Sequence, residues 1–180
     1  MGKKKIHALS GIEIHRRPLF SSGLGLFSEI YRKNNFTEDF SQDSFSVSNK
    51  NNTLRGMHFQ KPPFGQAKLV TVLSGSIIDF VIDIRKNSPT FKEYASIELS
   101  KDNGKMIYIP EGFAHGFLTL EENTCVFYKL SNYYSPEHEI TLRWNDPTIG
   151  IEWGAQNTLH MSSKDKAGEL FTTIEKDLSF

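Results

Sequence analysis

The chain has 180 residues, 38% of them hydrophobic and fourteen of them Phe, which suits one globular domain and excludes a disordered chain. Lys plus Arg and Asp plus Glu number 21 each, a balance that excludes the basic excess of proteins that bind nucleic acid or anionic membranes. No apolar stretch approaches the roughly 18 residues of a membrane span or follows the basic N-terminus as in a signal peptide. We therefore expect a single cytoplasmic domain over residues 1–180, with no nucleic-acid or membrane partner.

Short segments rich in Val, Ile, Phe and Tyr dominate residues 54–144, separated by Gly, Pro, Asn or Ser clusters. This pattern predicts consecutive strands and an all-β fold, which leaves a sandwich, a jelly roll or a small barrel as the architecture. After a strand at 54–60, the predicted strands in chain order are 68–73, 77–84, 94–99, 106–109, 117–120 and 124–130. Gly75 predicts a tight β-hairpin between 68–73 and 77–84, because glycine adopts the positive φ that such a turn demands.

Helical signals are few. Residues 31–40 show no apolar stripe of 3.6-residue period. Near the C-terminus, Ser162 followed three residues later by Asp165 is typical of the capping box that opens a short helix. On this pattern alone, Asp165 could be no more than the acidic member of that capping box.

The predicted strand Leu54–Gln60 carries three candidate functional side chains, Arg55, His58 and Gln60. On a regular strand His58 and Gln60 share one face and Arg55 lies on the other, unless Gly56 introduces a bulge. Taken alone, a histidine on a strand is more often structural, and Arg55 could form a structural ion pair.

A second histidine follows a recognisable turn. Residues 104–115 have the spacing Gly-x5-Pro-x-Gly-x2-His, which places His115 in a new strand and resembles the second conserved motif of the cupin superfamily. Metal cupins carry a His-x-His pair in the preceding motif, but here Phe59 and Gln60 follow His58. One histidine from each motif falls short of the three protein ligands of a catalytic metal site, so we expect no metal.

Taken together, the motifs carry a more specific resemblance. Read in order, the segments at 54–60, 66–70, 83–91, 109–117, 128–137 and 144–147 resemble the dTDP-4-dehydrorhamnose 3,5-epimerase family over nearly the whole chain. The resemblance implies a cupin-type jelly-roll barrel with short peripheral helices, and a homodimer whose N-terminal arm, residues 1–52, exchanges between subunits. It also implies inversion of C3, C5 or both in a nucleoside-diphosphate 4-keto-6-deoxy sugar through an enolate, without a cofactor.

The resemblance assigns roles to particular residues. The general base falls on His58, its carboxylate partner on Asp165, the proton donor for the other sugar face on Tyr128, and the conserved lysine on Lys68. These residue types suit the chemistry, since removal of a proton beside a ketone needs a base near neutral pH and cationic donors at the developing oxyanion. Substrate-binding roles fall on Arg55, Gln60, Glu29, His115, Glu139 and Lys164. Glu29 is expected to reach the partner subunit's site.

The sequence departs from the family at the nucleotide end. Leu24 stands where the family carries an arginine that contacts the diphosphate, and Gln42-Asp43-Ser44 replaces a Gln-x-Asn segment associated with thymine. We therefore keep GDP, CDP and UDP beside dTDP as candidate carriers. A metal-dependent cupin enzyme, a non-catalytic sugar-nucleotide-binding cupin and a 3,4-ketoisomerase are the alternative functions.

Overall fold

The computed structural model describes residues 3–154 and 158–180, so residues 1 and 2 of the predicted arm lie outside the described part. The strands are β1 (Lys3–Lys4), β2 (Glu13–Arg16), β3 (Phe20–Ser22), β4 (Gly25–Phe27), β5 (Gln42–Ser48), β6 (Leu54–Gln60), β7 (Lys68–Ser74), β8 (Ser76–Asp83), β9 (Tyr94–Ser100), β10 (Lys105–Ile109), β11 (Phe113–Thr119), β12 (Thr124–Leu130) and β13 (Glu139–Thr141). The helices are α1 (Ser163–Lys166) and α2 (Phe171–Ile174), and 3₁₀ turns cover Ile6–Ala8, Lys33–Asn35 and Glu175–Asp177.

Two large sheets form the body of the molecule. One has the strand order β1-β9-β8-β11-β6-β13, and the other has the order β2-β10-β7-β12-β5. Strands β3 and β4 pair only with each other. Apart from the parallel pair β1–β9, the neighbouring strands are antiparallel. This arrangement confirms the predicted all-β jelly-roll class with short helices at its periphery.

Apolar side chains pack on both faces of the six-stranded sheet. Between the two sheets, Val70 and Val72 of β7 meet Ile77 and Val81 of β8 in one buried cluster. On the other face, a second cluster joins alternate residues of β6, β8 and β11 to α2 and the C-terminal segment. Because both faces are covered, a polar side chain that points between the sheets lies in the interior of the barrel.

The predicted hairpin at Gly75 is wrong, although its two strands exist. Strand β7 pairs with β10 and β12, whereas β8 pairs with β9 and β11, so the chain passes at Gly75 from one sheet to the other. Apolar residues of the two strands face each other across the core, which burial favours over side-by-side pairing. Gly75 does have a positive φ of 74°, and an added Cβ would lie 2.3 Å from Oγ1 of Thr124.

The remaining local predictions hold with shifted bounds. The predicted strand at 117–120 is the end of β11, and residues 31–40 contain only a 3₁₀ turn. Ser162 caps α1, its hydroxyl accepting a hydrogen bond of 3.1 Å from the amide of Asp165. Within one chain, β2 and β5 of the predicted arm pair with β10 and β12, and arm exchange stays a prediction. No helix in residues 3–154 and 158–180 is long and apolar enough to cross a membrane.

Candidate active site

A cavity of about 330 Å³ opens between the two large sheets. Its walls come from β6, β11 and β13 of one sheet, from β7 and β12 of the other, and from α1. The lining residues are Arg55, His58, Gln66, Lys68, His115, Gly116, Phe117, Tyr128, Leu130, Glu139, Ser162, Lys164 and Asp165. The fold therefore brings eight of the ten predicted site residues together.

A bulge in β6 places Arg55 and His58 on the same cavity wall. The register between β6 and β11 shifts between His115 and Phe117, opposite Gly56. Gly56 has a φ of 124°, and an added Cβ would lie 2.5 Å from Cα of Gly116, so only glycine fits this close approach of two strands. The bulge breaks the strand alternation, as the sequence allowed.

His58 and Asp165 form a hydrogen-bonded pair at the cavity wall. The imidazole donates through Nε2 to Oδ1 of Asp165 over 2.7 Å. The same carboxylate accepts from Oγ of Ser162 at 2.7 Å and from the amide of Gly56 at 3.3 Å. Burial alone would raise the pKa of Asp165, but the hydrogen bonds from His58 and Ser162 lower it below the usual value. The carboxylate is thus ionised, orients the ring, and serves the helix cap as well.

Lys68 lies deep in the cavity. Its Nζ donates to the carbonyl oxygen of His58 at 3.3 Å. Burial lowers the pKa of Lys68 to about 8, and the charges of Glu139 and Asp79 oppose that shift only in part. The ammonium is therefore charged at neutral pH, but nearby carboxylates offset only part of the cost of its desolvation.

Tyr128 faces the cavity from β12, in the sheet opposite the one that carries His58. Burial raises the pKa of its phenol, and the charge of Arg55 opposes this only in part. The phenol stays protonated at neutral pH. An imidazole and a phenolic proton donor therefore occupy opposite walls of one cavity.

His115 stands directly opposite His58 on the neighbouring strand. Its Nε2 donates to Oδ2 of Asp79 over 2.7 Å, and the Asp79 side chain is completely buried. The sequence interpretation did not single out Asp79. The available signal was a carboxylate, one of two, within the otherwise apolar run Ile77–Ile84.

Glu139 and Lys164 form an ion pair beside the cavity. The hydroxyl of Tyr134 donates to Oε2 of Glu139 at 2.6 Å. Burial would raise the pKa of Glu139, but the hydrogen bonds from Lys164 and Tyr134 lower it. Tyr134, 51% exposed, is a further aromatic neighbour that the sequence interpretation did not name.

Gln60 and Glu29 do not line the cavity. The buried amide of Gln60 donates to the carbonyl oxygens of Phe64 and Tyr133, at 2.6 and 3.1 Å, and accepts from the amide of Ser135 at 2.8 Å. It thereby ties two loops together. Glu29 lies in the N-terminal arm and pairs with Arg32 at 2.7 Å.

Within the described ranges, 3–154 and 158–180, no three His, Cys, Asp or Glu side chains come close enough to hold a metal ion. The two histidines of the cavity each pair with one carboxylate, Asp165 or Asp79. A metal-dependent function would need ligands beyond these pairs.

The chain is similar to known proteins in sequence and in fold. A sequence model of the dTDP-4-dehydrorhamnose 3,5-epimerase family matches residues 7–173. The protein of that name from Salmonella typhimurium is 43% identical over 169 residues, which cover 91% of this chain and 92% of that protein. The crystal structure of the Bacillus anthracis enzyme of that name, with TDP and PPi bound, has a TM-score of 0.85 and 40% identity, covering 90% of this chain and 95% of that one. The Legionella pneumophila dTDP-6-deoxy-D-glucose-3,5-epimerase in complex with dTDP-4-keto-L-rhamnose has a TM-score of 0.86 and 35% identity, covering 92% and 90%.

Proposed function

This chain belongs to the dTDP-4-dehydrorhamnose 3,5-epimerase family, and we propose that it inverts C3, C5 or both in a nucleoside-diphosphate 4-keto-6-deoxy sugar. It is therefore an isomerase that works by removing and returning protons. The observation that carries the proposed mechanism is the placement of His58 and Tyr128 on opposite walls of one cavity. Inversion at carbon requires an acceptor on one face of the sugar and a donor on the other.

His58 is the proposed general base. With Nε2 donating to Asp165, the lone pair of the neutral imidazole lies on Nδ1 and accepts the proton from carbon. The C4 ketone acidifies the C3 and C5 protons, because the resulting carbanion spreads onto the C4 oxygen. Asp165 then stabilises the imidazolium that forms.

Lys68 is the proposed donor to the enolate oxygen. Its ammonium donates to the carbonyl oxygen of His58, and its partial desolvation in the cavity strengthens its attraction to a negative oxygen. Tyr128 is the proposed donor of the second proton. The phenol is protonated at neutral pH and delivers its proton to the face of the enolate opposite His58.

The diphosphate is proposed to bind Arg55 and Lys164, which both line the cavity and are suited to charge-assisted hydrogen bonds. Glu139 already pairs with Lys164, so it positions that cation for the ligand. Gln60 supports substrate binding through the loops that it ties together. We take dTDP as the first carrier to test, because TDP or a dTDP-sugar occupies the two solved relatives, while Leu24 keeps the other carriers under test.

We propose a homodimer in which the arm of residues 1–52 exchanges, because no residue of that arm lines the cavity within the described part of the chain. Glu29 would then serve the partner's cavity. Cys125 is free, as suits a reducing compartment, and we propose the cytoplasm.

The test is hydrogen exchange at carbon. The protein is incubated in deuterated water with 4-keto-6-deoxyhexoses carried on dTDP, GDP, CDP and UDP, and NMR follows deuterium entry at C3 and C5. We expect His58→Ala to lose exchange by about 10²–10⁴-fold, the usual contribution of a general base. Tyr128→Phe should keep exchange but lose inversion, because His58 can return the proton only to the face it came from.

Matched controls come from the outer surface of the same fold. His15→Gln removes a histidine that pairs with Glu13, and Tyr108→Phe removes a phenol that donates to Glu38, both outside the cavity. Each should retain exchange and inversion. Absence of exchange with every carrier would favour a non-catalytic sugar-nucleotide-binding cupin, and equal affinity for all carriers would contradict nucleotide selection.

A further inference from the structure

A second histidine–carboxylate pair lies beside the proposed catalytic one, and its histidine, His115, lines the cavity. His115 and His58 are directly opposed residues of β11 and β6, so their side chains lie on the same face of the sheet. His115 donates to Asp79 over 2.7 Å, the same distance that separates His58 from Asp165. Asp79 belongs to β8, where it lies diagonally across from His115.

The two carboxylates differ in how they are satisfied. Asp165 accepts hydrogen bonds from Ser162 and from the amide of Gly56 besides the one from His58. Asp79 has no exposed surface, and its Oδ1 has no hydrogen-bond partner in the described residues. Along β8, its same-face neighbours are Ile77 and Val81, both buried in the apolar core between the sheets.

An ionised carboxylate in such surroundings is stabilised chiefly by the positive charge next to it. For Asp79 the hydrogen-bonded neighbour is the ring of His115, and the ammonium of Lys68 adds a second, more distant positive charge. A neutral His115 that donates through Nε2 would present only a lone pair at Nδ1, whereas the imidazolium donates from both nitrogens. The charge on His115 therefore decides whether it offers the cavity a base or a donor.

We propose that Asp79 is a positioning residue that keeps His115 as an imidazolium, so that its Nδ1–H joins Lys68 in stabilising the negative C4 oxygen of the substrate. This inference rests on the proposed function, because the C4 oxygen belongs to that substrate. The two pairs then have opposite tasks. His58 beside the well-satisfied Asp165 accepts protons, and His115 beside the poorly satisfied Asp79 donates a hydrogen bond.

The first test reads the charge of His115 directly. In uniformly ¹⁵N-labelled protein at neutral pH, both ring nitrogens of His115 should show the chemical shifts of an imidazolium, with the signal assigned by its loss in His115→Gln. Asp79→Asn keeps the size of the side chain but removes the charge, and should shift His115 to the neutral form. A neutral His115 in the unmodified protein would overturn the proposal.

Strand β8 supplies a matched control. Asp83 is as buried as Asp79, but it accepts hydrogen bonds from Arg85, Ser88 and Thr90, whereas Asp79 pairs with His115. Asp83→Asn should therefore lower stability without changing the His115 signals or the exchange rate per folded molecule. Melting curves of both variants separate lost folding from lost function.

The second test uses exchange at C3 and C5. Both carbanions place their charge on the same oxygen, so Asp79→Asn should slow exchange at both carbons by a similar factor, about 10–10²-fold in kcat, with KM little changed. Loss at one carbon alone would instead make His115 a second base, and an unchanged rate would remove Asp79 from the mechanism. Either outcome overturns the proposal. If the unmodified protein exchanges neither carbon, the proposed function fails, and the nitrogen signals still report on the Asp79–His115 pair.

Discussion

At the scale of single residues, Lys68 lowers the stability of the fold but suits the stabilisation of an oxyanion. Its ammonium is largely desolvated in the cavity, its one hydrogen bond in the described structure goes to the carbonyl oxygen of His58, and its pKa falls to about 8. A desolvated cation with few compensating contacts lowers the stability of the fold. The same desolvation strengthens its attraction to an oxyanion, which is the feature that a proton-abstracting enzyme needs.

The lowered pKa of Lys68 predicts an alkaline limit to activity. The ammonium is the form of Lys68 that stabilises the enolate oxygen. As the pH rises through about 8 this cation is lost, and kcat should fall roughly tenfold per pH unit. A pH profile of kcat on the preferred carrier measures this. Lys68→Arg, whose guanidinium stays charged, should extend whatever activity it keeps to higher pH. A flat profile of the unmodified enzyme from pH 7 to 10 would contradict the assigned role.

The same residue predicts a gain in stability on substitution. The folded pKa of about 8 lies below the ordinary value of 10.5, so the unfolded chain binds more protons between these values and stability rises with pH across that window. Lys68→Met should therefore abolish turnover yet stabilise the protein at pH 7 by up to about 3 kcal/mol, since one pKa unit corresponds to about 1.4 kcal/mol. Denaturant titrations at pH 7 and 10 should show this gain shrinking as the pH rises. A destabilised variant at pH 7 would show that the lysine stem contributes more by packing.

At the scale of strands, local pattern predicted which segments extend but not which segments pair. The apolar runs at 68–73 and 124–130 became β7 and β12 because alternation is a local property. The pairing at Gly75 failed, because a glycine turn serves a crossover between sheets as well as a hairpin. Asp79 was missed for a similar reason, since only the sheet order brings it to His115.

The family resemblance allowed the site residues to be predicted from the sequence, but it did not predict the geometry around them. Arg55 and His58 share the cavity wall because Gly56 shifts the register of β6, an event that alternation alone cannot specify. Alternation along the strand predicts that Gln60 lies on the same face as His58, yet its amide forms its hydrogen bonds with backbone groups of two loops. Such competition for a polar side chain is decided by tertiary contacts.

Gly56 offers a test of the bulge. A Cβ at this position would lie 2.5 Å from Cα of Gly116, and the φ of 124° is unfavourable for any other residue. Gly56→Ala should therefore destabilise the protein by about 2–4 kcal/mol and separate β6 from β11 at the cavity. Gly150→Ala is the control, because its φ is 66° but no atom lies within 4 Å of the added Cβ. Equal losses in melting temperature would assign the effect to φ rather than to the strand contact.

At the scale of the whole molecule, the single chain leaves apolar surface uncovered at its N-terminal arm. Phe20 and Phe27 of the β3–β4 hairpin are 59% and 69% exposed, and Leu24 between them is fully exposed. On the edge strand β5, Phe45 and Val47 also face outward. Clustered apolar side chains and an unpaired strand edge are typical of an interface, which supports the proposed homodimer.

Sedimentation of the purified protein should give a dimer. Phe27→Glu should weaken that dimer, whereas Leu120→Lys at a separate exposed site should not.

Exchange of the arm predicts that Glu29 acts in the partner's cavity, and subunit complementation can show it. Glu29→Gln and His58→Ala should each be impaired alone. When the two are co-expressed, a mixed dimer combines one intact His58 with the Glu29 of the other subunit, so activity should recover to about a quarter of normal, since random assembly makes half the dimers mixed and each has one complete site. The control is a chain with both substitutions, co-expressed with the unmodified chain. If Glu29 acts across the interface, the mixed dimers of this control have no complete site. If Glu29 acts within its own chain, each of those mixed dimers keeps one complete site. Activity in the first mixture, together with inactive mixed dimers in the control, therefore identifies a site built from two subunits.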